Sequence, residues 1–433
     1  MLALLGVCTI LALLILILFR ITSVLIALIL VPVIAALVGG FGREIGTFAM
    51  EGIRSVTPVA ALLAFAVIYF GVMNDAGLFD PIIRTLVRAV GSDPVKIAVG
   101  TTAIATIAHL DGAGASTFMV TIPAMLPLYE RVGMSPLTLT CITAMAAGTT
   151  NMLPWTGPTT RAAASLQTST SDLFLPLVPA LIGGMAVVFL FAIRLGRLER
   201  ARLSAGGSRE SAPAAQVEPP QSASAARIGP LGYFNALLTV VALTALFVQL
   251  LPPAIVFIVA SAIALIVNYP DPHAQRERLT AHGNAAMMMV TTIFAAGIFT
   301  GILTKSGMLG AISGSLVAGL PHRLLLHLPV AMGITSMPLS LAFDPDSFYF
   351  GLLPIVAHAS QAVGGSAVEI GRAALLGQMT TGFPVSPLTP STFLLVGLAN
   401  VDLADHQRRT IPYAFAVTLA MTVVAIVTGA ITW

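Results

Sequence analysis

The stretch His109-Leu110-Asp111-Gly112-Ala113-Gly114-Ala115-Ser116-Thr117 lies in the middle of an otherwise apolar segment, residues 97–128. A second break, Asp344-Pro345-Asp346-Ser347, interrupts the apolar stretch 326–362 in the same way. Beyond each break the chain returns at once to apolar residues, through Phe118-Met119-Val120 and Phe348-Tyr349-Phe350, without the basic or extended loop of a membrane surface. Each segment is read as a re-entrant helical hairpin whose polar tip stops at mid-membrane. The other reading, two full spans joined by a solvent loop, leaves that abrupt return unexplained.

Lipid is the solvent this composition requires. Of the 433 residues 57% are hydrophobic and only 9% charged, against roughly a quarter charged in a soluble protein. The net charge of +3 is too small to signal a nucleic-acid partner. Cys8 and Cys141 both sit in apolar runs and read as small buried hydrophobes.

Working outward, runs long enough to cross about 30 Å of hydrocarbon occur at 2–19, 21–39, 57–74, 134–160, 173–193, 231–251, 253–269, 287–304, 366–395 and 411–431. The first lacks a basic start and a cleavage site, so it is read as a retained span rather than a signal peptide. The runs 134–160 and 366–395 are interrupted helices. Residues 80–95 and 308–325 read as amphipathic segments lying on the membrane. Residues 197–228, rich in Ser, Ala, Pro and Gln and carrying Arg197, Arg200, Arg202, Arg209 and Arg227, read as a flexible cytoplasmic linker. The chain thus divides into an N-terminal membrane repeat (1–196), the linker (197–228) and a C-terminal repeat (229–433).

The two halves keep a common register. Gly71/Gly301 and Gly77/Gly307 share an offset of 230, while Ser116/Ser347, Pro123/Pro354, Gly133/Gly364 and Thr149-Thr150/Thr380-Thr381 share 231. Pro158-Thr159-Thr160 matches Pro390-Ser391-Thr392 at 232. With the hairpins re-entrant, each half crosses five times, and an odd number inverts the second half. With the linker inside, Arg84, Arg88, Lys96, Arg131, Arg276, Arg278, Arg408 and Arg409 fall on the cytoplasmic side, and Arg43, Arg54, Arg161, Lys305 and Arg323 on the other. Both termini are then external. The fold class is an all-α polytopic membrane protein of two inverted repeats, each with a re-entrant hairpin and an interrupted helix.

An ionisable group at bilayer depth costs about 2.5–3.5 kcal/mol on insertion scales and is a functional candidate by default. Asp111, Asp344 and Asp346 are the strongest candidates for meeting a cation or carrying a proton. His109 reads equally as a relay and as a pore-lining hydrogen bonder. In the interrupted helices, Thr149-Thr150-Asn151-Met152-Leu153-Pro154 and Thr380-Thr381-Gly382-Phe383-Pro384 set prolines among hydroxyls, with Thr159, Ser386, Ser391 and Thr392 close behind. Proline frees a carbonyl, and the half-helix beyond offers free N–H groups and a positive dipole end. The result is a neutral, strongly hydrogen-bonding cradle for carboxylates and a cation. Arg161 reads as a neutraliser of an anionic substrate or as a helix-end charge. Asp75 and Lys305 read as interfacial anchors, and His358, Glu369 and Arg372 as structural pairing. Walker A, HExxH and GxSxG sequences are absent, so neither ATP drive nor membrane enzymology is indicated.

The motifs around both breaks closely resemble the citrate–metal/proton symporter (CitMHS) family. The resemblance is carried by His109-Leu110-Asp111-Gly112, the run Gly114 to Phe118, Ile122-Pro123-Ala124-Met125-Leu126-Pro127, Asn151-Met152-Leu153-Pro154-Trp155, Phe343-Asp344-Pro345-Asp346-Ser347-Phe348-Tyr349-Phe350-Gly351, and Pro384-Val385-Ser386-Pro387-Leu388-Thr389-Pro390-Ser391-Thr392. It implies uptake of citrate complexed with a divalent cation of the Mg²⁺ or Ca²⁺ class, driven by proton symport across a bacterial cytoplasmic membrane. No permanently bound cofactor is implied. Relatives in the ion transporter superfamily are homodimers with scaffold and transport domains, opposed hairpins and an elevator-like motion.

Related dicarboxylate transporters carry a Ser-Asn-Thr signature at each tip. Here Ser116-Thr117 lacks the Asn and acidic residues flank both tips. That departure argues against sodium coupling and suits a substrate that brings its own metal, or a protonatable carboxylate. The implied substrate ligands are Ser116, Thr117, Thr150, Asn151, Thr159, Ser347, Thr381, Ser386, Ser391 and Thr392. Asp111, Asp344, Asp346 and His109 are left for proton and metal coupling, the three aspartates for the metal itself. A sodium- or proton-coupled carrier of another carboxylate with the same fold is the alternative.

Overall fold

A computed structural model describes residues 1–19, 21–205, 229–319 and 325–433, and every regular element among them is helical. The first half runs α1 (Leu2–Leu18), α2 (Val24–Val38), α3 (Ile45–Asp75), α4 (Asp80–Val90), α5 (Pro94–Ala108), α6 (Gly114–Val132), α7 (Pro136–Thr150), α8 (Gly157–Leu166), α9 (Thr170–Phe174) and α10 (Val178–Ala205). The second runs α11 (Pro230–Phe247), α12 (Pro253–Asn268), α13 (Pro272–Lys305), α14 (Met308–Gly319), α15 (Leu328–Leu339), α16 (Leu353–Ala362), α17 (Ala367–Leu375), α18 (Pro390–Leu398) and α19 (Leu403–Val427). Large apolar side chains on α1, α2 and α11, among them Leu4, Leu11, Ile34 and Leu237, are exposed, as lipid-facing positions require.

Several boundaries differ from the sequence reading. The spans at 57–74 and 287–304 are the apolar parts of α3, 31 residues, and α13, 34 residues. At 1.5 Å per residue these reach about 45–50 Å, well beyond the hydrocarbon. Asp271 caps α13 through the N–H groups of His273 and Ala274, so its polar first turns are helical too. The linker boundary also moves, because α10 continues past residue 197 to Ala205. Those last turns are held by side chains: Glu199 accepts from Thr138 Oγ1 at 2.6 Å, and Arg202 donates to the Gly133 carbonyl at 2.5 Å. Charge that reads as linker composition is thus used in packing. Residues 206–228, Arg20 and residues 320–324, with Arg323 and part of the 308–325 segment, lie outside the described residues.

The duplication is visible in the backbone. Gly77 and Gly307 end α3 and α13 with φ of 73° and 77°, and Gly133 and Gly364 follow the hairpins with φ of 78° and 86°. Only a residue without Cβ adopts this left-handed region without strain.

Equivalent helices run antiparallel. At one end of the α3/α13 pair, Glu51 meets Lys305 at 2.5 Å. At the other, Asp75 meets Arg278 at 3.2 Å and His282 at 2.9 Å. Between them Gly52 lies directly against the Gly297 carbonyl, where any Cβ would collide. In the second pair, α10 and α19, contacts likewise progress in opposite directions, from Gly183 with Val424 to Phe191 with Tyr413. Two equivalent helices that run antiparallel place the halves in inverted relation.

Candidate functional site

The first hairpin consists of α5 and α6, joined by a single 3₁₀ turn at His109–Asp111 and by Gly112 in the left-handed region (φ 74°). A Thr101–Tyr129 hydroxyl bond of 3.1 Å ties its arms together. At the tip the Asp111 carboxylate accepts from the Ala113 N–H at 2.8 Å and from the Ser116 hydroxyl, closing the turn on itself. His109 is fully buried. Its Nδ1 pairs with Thr117 Oγ1 at 2.7 Å, while the other edge of the ring faces the Asn151 side chain. The imidazole stacks on Phe383 of the other half, 5.7 Å between centroids.

The second tip is built differently. Asp344 turns the chain by accepting the Asp346 N–H at 3.2 Å, and a wide π-helical turn, Ser347–Leu352, follows before α16. Such turns interrupt the regular ladder and often mark functional positions. Asp344 Oδ1 and Ser347 Oγ are buried beside each other, with no third group to bond. Asp346 instead forms an ion pair of 2.7 Å with Nε of Arg161, on α8 of the opposite half.

Between the tips the two interrupted helices touch at their breaks. The Asn151 amide donates to the Met379 carbonyl at 2.6 Å. A Cβ on Gly148 would stand 2.9 Å from both Thr380 O and Thr381 Cα. Thr149-Thr150 and Thr380-Thr381 are equivalent by register, so the pseudo-twofold axis passes close to this contact. Each tip faces the half-helix that follows the other half's break. Gly114 lies against Phe383 and Ser391 at the start of α18, and Asp346 meets α8 through Arg161. Both tips therefore lie near helix N-termini, whose free N–H groups and dipoles favour anions.

The hydroxyls singled out by sequence divide into two groups. Thr150 bonds the Ala146 carbonyl, Thr159 that of Met152, Thr392 that of Phe383 and Ser386 that of Ser340, at 2.5–2.9 Å. Thr381 pairs with Thr418 at 2.5 Å. These groups shape the breaks. Asn151 faces His109 and Ser347 faces Asp344, each pair without a further partner, while Thr149 Oγ1 and Thr380 Oγ1, in the predicted cradle but not among the implied ligands, are buried with no partner at all. Buried polar atoms are normally satisfied; among the described residues such atoms occur at the tips and breaks and also at Thr121, Thr143, Ser165 and Arg409, and those at the tips and breaks are the ones that lie together. The three aspartates do not form one ligand set: among the described residues no group of three or more His, Cys, Asp or Glu side chains could hold a metal ion. A cation already chelated by its own substrate needs fewer protein ligands.

A crevice of about 20 Å³, enough for roughly one water, reaches Asp111 and Ser116 from Asn74 and Asp80. A larger cavity, about 400 Å³, lies apart from the breaks at Ser135, Glu199, Arg202 and Arg409. None of its lining belongs to a tip or a break. Glu369 bonds Thr432, and Arg372 bonds the carbonyls of Asp172 and Ala430, so both are structural.

Sequence reasoning also missed a clamp from α19. His406 Nε2 pairs with the Pro384 carbonyl at 2.9 Å, and the Gln407 amide donates to that of Val385 at 2.8 Å. The available signal was polar residues at the start of the last apolar helix; the carbonyls they bond are left open because the chain turns extended at Ser386, just after Phe383–Val385.

This arrangement of opposed hairpins and broken helices defines a multi-pass membrane transporter rather than an enzyme. The chain belongs to the citrate transporter family (CitMHS), whose profile matches residues 8–377. It is 45% identical, over the full length of both proteins, to the "Citrate transporter" of Bacillus subtilis (strain 168). It is 39% identical to the "Mg(2+)/citrate complex secondary transporter" of the same organism, covering 100% of this chain and 99% of the other. The crystal structure of the Alcanivorax borkumensis YdaH transporter, described as having an unusual topology, shares the fold at a TM-score of 0.65 and 17% identity, covering 99% of this chain and 98% of the other.

Proposed function

We propose that the protein is a secondary active transporter that imports citrate complexed with a divalent cation of the Mg²⁺ or Ca²⁺ class by proton symport. The observation that supports this reading is the set of buried polar groups with spare hydrogen-bonding capacity at the two tips and the two breaks. Citrate carboxylates meet Ser116, Thr117, Asn151, Ser347 and Ser391 and the N-terminal N–H groups of α8 and α18. Asp111, Asp344 or Asp346 meets the chelated cation or carries the coupled proton. The hairpins, with the breaks they face, form a transport domain that moves as an elevator against a scaffold including α3 and α13. The protein works as a homodimer in the bacterial cytoplasmic membrane, with residues 206–228 inside.

Uptake of radiolabelled citrate into proteoliposomes, with Mg²⁺, Ca²⁺, Zn²⁺ and pH varied in turn, tests the reading. Saturable, metal-dependent accumulation that collapses with the proton gradient is expected. Accumulation driven by sodium without a divalent cation points instead to a carrier of another type with the same fold. Flux without saturation contradicts alternating access.

A further inference from the structure

The Arg161–Asp346 pair joins the helix after the first break to the tip of the second hairpin. Its side chains are only 23% and 14% exposed, so neither charge is solvated well enough to stand alone. Gly157 makes room for the guanidinium: a Cβ there would lie 2.8 Å from Arg161 Nη1. Beside the pair, Asp344 Oδ1 and Ser347 Oγ are buried next to each other with no third partner. A ligand entering here must compete with an ion pair already made, and the charges it brings decide whether that competition succeeds.

Free citrate that captured Arg161 would strand the Asp346 carboxylate, and a bare divalent cation on Asp346 would strand the Arg161 guanidinium. Leaving one partner of a buried pair uncompensated is strongly unfavourable. A metal–citrate complex compensates both at once. We propose that Arg161 and Asp346 exchange partners on binding: a citrate carboxylate takes the guanidinium fork, and Asp346 completes the coordination of the chelated cation. Discrimination between the complex and its separate components then arises from the stranded charge. This rests on the metal–citrate reading and adds to it the residues that enforce it.

Titration calorimetry of the full-length protein in detergent, with Mg²⁺–citrate, with citrate in EDTA and with Mg²⁺ alone, tests the exchange. The wild type is expected to bind the complex about 100-fold more tightly than either component, the scale of one stranded charge. In Asp346→Asn the gap between Mg²⁺–citrate and free citrate should shrink to about threefold or less, since no carboxylate is left to strand. Arg161→Lys keeps the charge but loses the fork, and should weaken binding of the complex about tenfold while preserving the gap. An unchanged gap in Asp346→Asn, or unchanged affinity in Arg161→Lys, overturns the exchange. Should Asp346→Asn fail to fold, the double variant Arg161→Gln/Asp346→Asn removes both charges, and a gap that persists in it overturns the proposal equally. Failure of the wild type to bind Mg²⁺–citrate at all is a different result, which removes the functional reading itself.

Discussion

The side-chain amide of Asn151 donates a 2.6 Å hydrogen bond to the carbonyl of Met379, so the break in one half holds the break in the other. Met379 adopts the left-handed region (φ 56°), a conformation that non-glycine residues keep only where surrounding contacts enforce it. The bond spans 228 positions of chain and lies beside the contact between Gly148 and Thr380. Geometry at the centre of the site is therefore shared property of the two repeats.

Removing that donor leaves a buried carbonyl unsatisfied. Asn151→Ala is expected to cost about 1–3 kcal/mol and to depress citrate uptake more than expression. Asn151→Asp should be worse, since a carboxylate then faces the carbonyl. Thermal unfolding in detergent and uptake in proteoliposomes measure the two effects; a variant with wild-type values for both contradicts the shared geometry.

Gly148 tests the same contact sterically. A methyl there meets backbone on the other half, which has no flexible end to move aside. Gly148→Ala should destabilise by about 1–3 kcal/mol, as overpacked core sites do, and slow transport. Gly46, against which nothing packs, is the control: Gly46→Ala should leave uptake and melting temperature near wild type.

Trp155 anchors the first tip to the first break. Its indole N–H donates to the Leu110 carbonyl at 2.8 Å, and its ring stacks on Phe70 at 5.6 Å. Trp155→Phe keeps an aromatic ring and removes the donor. A loss of about 0.5–1.5 kcal/mol is expected for the missing bond, with reduced uptake because the tip is less firmly placed. A melting curve and an uptake rate both indistinguishable from wild type would show that the tip is fixed by packing alone.

The antiparallel α3/α13 pair makes a prediction about sidedness. Thr47 and Lys305 are exposed near one end of the pair, and Asn74 and Glu277 near the other. In a Cys8→Ser background, with Cys141 buried, single cysteines at these positions should divide two against two. A membrane-impermeant maleimide should label positions 47 and 305 from one side only, and 74 and 277 only from inside-out vesicles. Labelling of 47 and 277 from the same side contradicts the inversion.

Much of this architecture was legible because its signals are local. The break around Asp111 and the break at Asp344 to Ser347 reveal themselves by the cost of polar groups in an apolar run. Gly77/Gly307 and Gly133/Gly364 reveal the duplication because a left-handed turn favours glycine. Pairings across the chain were not legible. Arg161 meets Asp346 across 185 positions, and nothing near either residue names the other. The fate of each hydroxyl was equally hidden: Thr150 turns to its own helix and Thr381 to Thr418 on α19, while Thr149 and Thr380 find no partner, a choice made by side-chain direction rather than composition. The end of α10 was obscured because Glu199 and Arg202, charged residues typical of a linker, are spent on Thr138 and Gly133.

Asp93 offers a pH test outside the spans. It caps α5 through the Val95 N–H at 2.9 Å and accepts from Arg200, near the end of α10, at 2.5 Å. The Arg200 hydrogen bond first, and the Val95 bond after it, hold this carboxyl below the usual carboxylate range. A depressed folded-state value means that the contribution is complete above the ordinary carboxylate pKa of about 3.9 and is lost as pH falls through the lower folded value. Both side chains are well exposed, 52% for Arg200 and 34% for Asp93, so solvent screening limits the pair to about 1 kcal/mol or less. Asp93→Asn retains a good cap and removes only the charge. The stability difference between this variant and wild type should stay flat from about pH 5 to pH 8, begin to fall only below about pH 4, and vanish once pH has passed the lower folded-state value. It should also diminish in high salt, as screened pairs do. Thermal unfolding of the purified protein across that range measures it directly; a difference that instead grows between pH 5 and pH 8 would mean that another group, not this carboxylate, links α5 to α10.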